Sequence, residues 1–283
     1  MVFEMFNDYE KKAWFDQCNR WKNKWSYQLK KMEIDKKDNS PFSIYEIMEL
    51  VSRSLTEDIV VVTDAGSPSY TCPVNLRNVH NGRFIFSQSQ ADMGFSIPAS
   101  VGVALSSNKN VLVIVGDGSF MSNVQELSTI KYFNLPIKIL VLDNRGYMSI
   151  KNTQKNFFNN RVYGVDSTSG VNIPPIENMA NAFDLQFYNL HSILDNFDDI
   201  IRLSTPCVMQ AVCHEVEEII PMQSFKVVDG KTIQAPLDDM YPFLDKKNSV
   251  PGLALPNSSK PTNVKLCSLL EYIILFKSEN VVE

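Results

Sequence analysis

Two short segments of this sequence carry residue types that could hold a cation and a phosphate together. Gly116-Asp117-Gly118-Ser119-Phe120 follows the apolar run 111–115 (VLVIV), and Asp143-Asn144-Arg145-Gly146-Tyr147 follows the run 137–142 (IKILVL). A carboxylate and an amide oxygen suit a hard cation such as Mg²⁺, which takes oxygen ligands and bridges to phosphate. Glycines on both sides of Asp117 let backbone approach a ligand closely. The free N–H groups that open the helix after them suit phosphate oxygens. Gly-Asp-Gly and Asn-x-Gly are each common turns when alone. Placed on consecutive strand ends, 27 positions apart (Asp117 to Asn144), they point to one shared site.

Two strand ends can share a site only if the strands lie side by side and run parallel. The rest of the chain supplies the elements for that. Strands are expected at 58–62, 84–86, 111–115, 137–142 and 206–212, where β-branched and apolar residues run continuously. Helices are expected at 44–54 with Ser43 as its cap, at 93–105 with Pro98 near its start, and at 122–133 with Asn123 and Glu126 as a partial capping pattern. Further helices are expected at 176–183 and 192–203. Alternating strands and helices imply right-handed crossovers, hence an α/β fold: a three-layer, mainly parallel sheet with helices on both faces. Open sheets of this kind bind ligands at the carboxyl edge of the strands.

The expected domain organisation is 1–40 as a linker and docking helix, 41–245 as the α/β domain, and 246–283 as a flexible tail. Trp14, Cys18, Trp21, Trp25 and Leu29 form one stripe of a helix over 9–31, to be covered by the chain's own core or by another domain or subunit. The tail holds Pro251, Pro256 and Pro261 among Ser, Asn and Lys.

Composition bounds the function. Hydrophobic residues make up 44% and the net charge is −5, which excludes a disordered chain and argues against a basic nucleic-acid binder. No apolar run reaches the roughly 20 residues a membrane span needs. A soluble cytoplasmic protein, with neither nucleic-acid nor membrane partners, is the expectation. Five scattered cysteines without a CxxC pair, and three histidines, support neither a disulfide framework nor a zinc ribbon. Gly230-Lys231-Thr232 lacks the upstream glycine of a phosphate loop, where Phe225 stands. Cys213-His214 reads as structural, because neighbours on a strand face opposite ways. Glu215, Glu217 and Glu218 read as a solvated acidic stretch. Tyr147 could contact substrate or pack against the sheet edge.

The two turns together resemble the diphosphate-binding signature of thiamine-diphosphate (ThDP) enzymes, and the resemblance covers roughly residues 40–245. Thr63-Asp64-Ala65-Gly66-Ser67 is similar to the turn that opens the cofactor domain in acetolactate-synthase-like members. Ala91-Asp92-Met93-Gly94-Phe95-Ser96 is similar to their helix-opening segment, and Ser149-Ile150-Lys151-Asn152-Thr153-Gln154 continues the match. The resemblance implies that Asp117, the Asn144 side-chain oxygen and the Gly146 carbonyl bind Mg²⁺. It implies that Gly116, Gly118, Ser119, Gly66 and Ser67 hold the diphosphate, with Tyr147 beside them. Met93 would wedge beneath the cofactor and the Ala91 carbonyl would accept a hydrogen bond from its aminopyrimidine. The family usually has Asn where Asp143 stands and often a polar phosphate ligand where Pro68 stands. Plain decarboxylases carry Glu at the position of Ile150, so the resemblance leans to a carboligase acting on a 2-oxo acid. It also implies a partner: the pyrimidine-binding domain or subunit that supplies the activating Glu, within an oligomer. The alternative is a non-catalytic paralogue that serves as a binding subunit.

Overall fold

A computed structural model describes residues 12–16, 18–20, 39–76, 82–87 and 89–219, and the backbone of 225–228 and 231–234. The chain divides into two compact units, Met1–Ile220 and Pro221–Glu283. The expected boundary at 245 and the 246–283 tail lie outside the described residues, as do Trp21, Trp25 and Leu29 of the aromatic stripe. Residues 12–16 and 18–20 are helical, and Trp14 is half exposed.

The first unit is built on strands β1 (Ile59–Thr63), β2 (Phe84–Phe86), β3 (Asn110–Gly116), β4 (Ile137–Asp143), β5 (Gln186–Asn189) and β6 (Cys207–Val212). They form one sheet in the order β2-β1-β3-β4-β6-β5, and every pairing is parallel. Strands with both faces covered have no solvated polar side to show, which is why β1, β3 and β4 are mainly apolar; Lys138 of β4 is the buried, charged exception. Alternate residues go to opposite faces. From β3, Leu112 and Ile114 join one core with Ile47, Met48, Val51, Phe197 and Ile201. Val111, Val113 and Val115 join the other with Ile97, Leu127, Ile130 and Ile176. The three layers expected from the alternation are therefore present.

The chain runs outward from β1 to the edge strand β2 and then returns to β3 on the other side of β1. At such a reversal the loops leaving β1 and β3 diverge and open a crevice at the carboxyl edge. The register brings Thr63 beside Ile114, Gly116 beside Leu142, and Asp143 beside Val212, so the loops after β1, β3 and β4 emerge at the same edge of the sheet.

The helix Ile44–Ser54 begins where expected, with a capping box between Ser43 and Glu46. Glu217 also accepts from the Ser43 hydroxyl and from the Ile44 N–H at 2.8 Å. It is thus a second acceptor for the orphan donors of that helix, and the expectation of a merely solvated acidic stretch is corrected for Glu217.

Three helix expectations are also corrected. In place of one helix at 122–133 there is Glu126–Tyr132, preceded by a separate helix Asp117–Ser122, and Asn123 caps neither with its side chain. Its amide instead donates to the Gly94 carbonyl at 2.9 Å. Residues 192–203 are broken into short turns, Leu190–Ile193, Leu194–Asn196 and Phe197–Ile201. The helix expected at 93–105 starts later, at Ser96.

The second unit, taken by itself, shows β7 (Phe225–Val228) paired antiparallel with β8 (Lys231–Gln234). Lys231 and Thr232 open a strand, where a phosphate loop would open a helix. Among the described residues, no helix is long and apolar enough to cross a membrane.

Candidate functional site

One cleft at the carboxyl edge is lined by Gly66, Ser67, Met93, Gly116, Asp117, Gly118, Ser119, Asn144, Gly146 and Tyr147. These are all the expected site residues except Ala91, which is exposed and outside the cleft lining, with φ +54°. Ile150 and Pro68 also line the cleft.

Each turn has a local cause. After β1 the chain turns at Gly66 (φ +77°), where a side chain would be strained, and enters the helix Ser67–Asn75. Pro68 falls in its first turn, where a missing N–H removes no helical bond. After β3, Gly116 leads into the helix Asp117–Ser122. After β4, Arg145 (φ +63°) and Gly146 (φ +150°) reverse the chain. A Cβ at Gly146 would lie 2.1 Å from the Val165 carbonyl oxygen, so only glycine fits. A Cβ at Gly118 would lie 2.2 Å from the Tyr147 ring, which therefore packs directly over Gly118.

Asp117 ties two of these turns together. Its Oδ1 accepts from the Gly118 N–H at 2.7 Å and its Oδ2 from the Gly146 N–H at 2.9 Å. The side chain is buried, with only 1% exposed. Burial pushes its pKa up to about 7, and the neighbouring Asp143 carboxylate adds to the effect; the two N–H bonds oppose it. Asp143 itself accepts from Gln210 Nε2 at 2.5 Å and from the Arg145 N–H at 3.1 Å.

Beside this carboxylate, Asn144 Oδ1 is buried without a hydrogen-bond partner. Buried polar atoms are nearly always satisfied, so an orphan calls for a partner of its own. Asp117, Asn144 and the Gly146 carbonyl are all oxygen donors, the set a hard cation takes. They therefore fit Mg²⁺. Among the described residues no cluster of three or more His, Cys, Asp or Glu exists.

Asp64 sits in the 63–67 segment, and nothing in its local pattern reveals what it does. Its carboxylate is buried and accepts from four donors: the N–H groups of Ala65, Gly94 and Ser96 at 2.9 Å each, and the Ser96 hydroxyl at 2.6 Å. It fixes the Met93 segment against the turn at Gly66. The spacing of about 30 residues between Asp64 and its partners hides that role from any short motif. Thr63 Oγ1 is a second buried, unpartnered atom.

Cys213 is buried; its thiol donates to the Ala211 carbonyl at 3.3 Å, and burial pushes its pKa well up, which suits a structural residue.

A doubly wound parallel sheet with a glycine-lined, oxygen-rich crevice at its topological switch defines a class: nucleotide- or diphosphate-binding α/β domains. The sequence comparisons specify which. Residues 64–209 match the model of the thiamine pyrophosphate enzyme, C-terminal TPP binding domain. The chain belongs to that family. It is 30% identical over 180 residues to the acetolactate synthase isozyme 2 large subunit of Escherichia coli (strain K12), covering 62% of this chain and 32% of that protein. It is 27% identical over 224 residues to the acetolactate synthase large subunit of Porphyra purpurea, covering 78% and 36%. A third relative, the acetolactate synthase large subunit of Lactococcus lactis subsp. lactis (strain IL1403), is 27% identical over 184 residues. The chain spans about a third of the length of these curated relatives.

Proposed function

We propose that this chain is the diphosphate- and Mg²⁺-binding part of a ThDP-dependent 2-oxo acid carboligase or decarboxylase, acetolactate-synthase-like. It would work with a pyrimidine-binding domain or subunit, in an oligomer. The observation that carries this reading is the buried, unpartnered Asn144 Oδ1 beside the Asp117 carboxylate in a glycine-lined cleft.

Asp117, Asn144 Oδ1 and the Gly146 carbonyl would hold Mg²⁺. The turn at Gly66 and Ser67, which opens a nine-residue helix, and Ser119 would face the diphosphate. Gly118 has a different part, since its N–H is engaged by Asp117; it makes room for the Tyr147 ring. Met93, half exposed at the cleft, would support the cofactor, with Asp64 fixing its height. When bound, ThDP supplies an electron sink for carbon dioxide loss and carbon–carbon bond formation. Ile150 at the mouth of the cleft offers no proton, which favours a carboligase over a plain decarboxylase. The buried free thiols Cys72, Cys207 and Cys213 suit a reducing compartment and support a cytoplasmic location.

Calorimetry of the full chain with ThDP, with and without Mg²⁺, tests the reading. Mg²⁺-dependent binding is expected, with a loss of at least about a hundredfold in Asp117→Ala, which removes a charged ligand and two turn-fixing bonds. Binding undiminished in that variant would overturn the site. Carbon dioxide release from pyruvate, after addition of a pyrimidine-binding partner, separates an active subunit from the non-catalytic paralogue.

A further inference from the structure

The turn that carries Asn144 and Gly146 is pressed from outside by residues 161–171, a segment that the site as described does not use. The Tyr147 N–H donates to the Val165 carbonyl at 2.8 Å, and Gly146 pairs with Asp166 in an isolated antiparallel bridge. In a trans peptide the C=O and N–H point in opposite directions. Anchoring the Tyr147 N–H on Val165 therefore aims the Gly146 carbonyl away from this strap. That carbonyl accepts from the Met148 N–H at 3.2 Å and keeps a second lone pair.

The strap is itself held at two points, both on the helix Met148–Phe157 that leaves the same turn. Lys151 Nζ lies 2.7 Å from Asp166 Oδ2, with both side chains mostly buried. Gln154 accepts from the Tyr163 N–H and donates to the Tyr163 carbonyl, each at 3.0 Å. The Asp166 Oδ1 accepts from the hydroxyls of Thr168 and Ser169 at 2.7 and 2.8 Å. The Lys151 bond, with those hydroxyls, holds the Asp166 carboxyl well below the usual carboxylate range.

We propose that Lys151, Gln154 and Asp166 form a latch that aims the Gly146 carbonyl, which makes them positioning residues for the divalent cation. This deepens the diphosphate–Mg²⁺ reading and rests on it. None of the three lines the cleft. Their effect reaches the cation through one peptide group, as outer partners of metal ligands commonly do.

The test titrates Mg²⁺ into the full chain at fixed inorganic diphosphate, read by calorimetry. Lys151→Met and Asp166→Asn are expected to raise the half-saturating Mg²⁺ concentration about tenfold. Lys151→Arg, which keeps the ion pair, should stay near wild type, and the double variant should lose no more than either single one. Diphosphate affinity at saturating Mg²⁺ should return to the wild-type value, an outcome that general damage to the fold would not give. An unchanged Mg²⁺ requirement in both single variants, or an equal loss of binding at every Mg²⁺ concentration, would overturn the latch while leaving the site intact. A wild-type chain that takes up no diphosphate with Mg²⁺ would overturn the functional reading and the latch with it.

Discussion

The two ends of β4 bury polar groups in opposite ways. At its start, Lys138 is fully buried, and its ammonium donates to Asn110 Oδ1 at 2.7 Å, to the Pro136 carbonyl at 3.4 Å and to the Leu203 carbonyl. Three donors meet three acceptors, so nothing is left for a ligand. Just past its other end, Asn144 Oδ1 has no partner, and Asp117 and Asp143 hold like charges close together. A closed polar cluster is part of the scaffold; an open one awaits something. Burial alone does not distinguish them. The matching of donors to acceptors does.

The contrast can be broken by substitution. Lys138→Ala leaves three acceptors without their shared donor, and should destabilise the chain by about 3 kcal/mol in urea denaturation. Diphosphate binding by the folded fraction should be unchanged. Asn144→Ala should do the reverse. Stability should shift by no more than about 0.5 kcal/mol, because no protein contact of its oxygen is lost. The Mg²⁺-dependent affinity for diphosphate should fall by about tenfold or more. A stability loss at Asn144 as large as that at Lys138 would make the two ends alike and sink the comparison.

The same contrast predicts a pH dependence. Burial lowers the Lys138 ammonium to about 8 from 10.5. Below pH 8 the folded and unfolded chains are both protonated there, and burial of the charge opposes folding in full. Between pH 8 and 10.5 the unfolded chain binds more protons, so stability should rise with pH across that window. Denaturation at about pH 7.5 and about pH 10 should show the rise in the wild type, and its loss in Lys138→Met.

The sheet was legible because β1, β3 and β4 are mainly apolar on both faces, Lys138 apart, a pattern that a strand with one face in water does not show. The helix at 44–54 was legible because its start is written locally, in Ser43 and Glu46. Both turns of the proposed cation site were legible for a similar reason: each follows directly on such a strand. What escaped is what depends on distant partners. The helix Ser67–Asn75 contains Pro73 and polar residues, and is held by Thr71 Oγ1 donating to the Ser67 carbonyl and Asn75 Nδ2 to the Thr71 carbonyl, at 2.8 Å each. Its composition reads as a loop. Asn123 has the residue type of a cap, yet its amide serves Gly94, 29 positions away. The strap at 161–171 has no periodicity, and its meaning appears only where Val165 meets Gly146 and Tyr147.

The outermost strands of the sheet also constrain how this chain can meet others. Among the described residues, β2 offers three residues and β5 four at the borders of the sheet. Such stubs are poor templates for strand addition, so neither runaway fibre growth nor β-augmentation has a footing there. Among the described residues of the first unit, that leaves helical faces and loops, the rim of the crevice between β1 and β3 included, as the surfaces open to association.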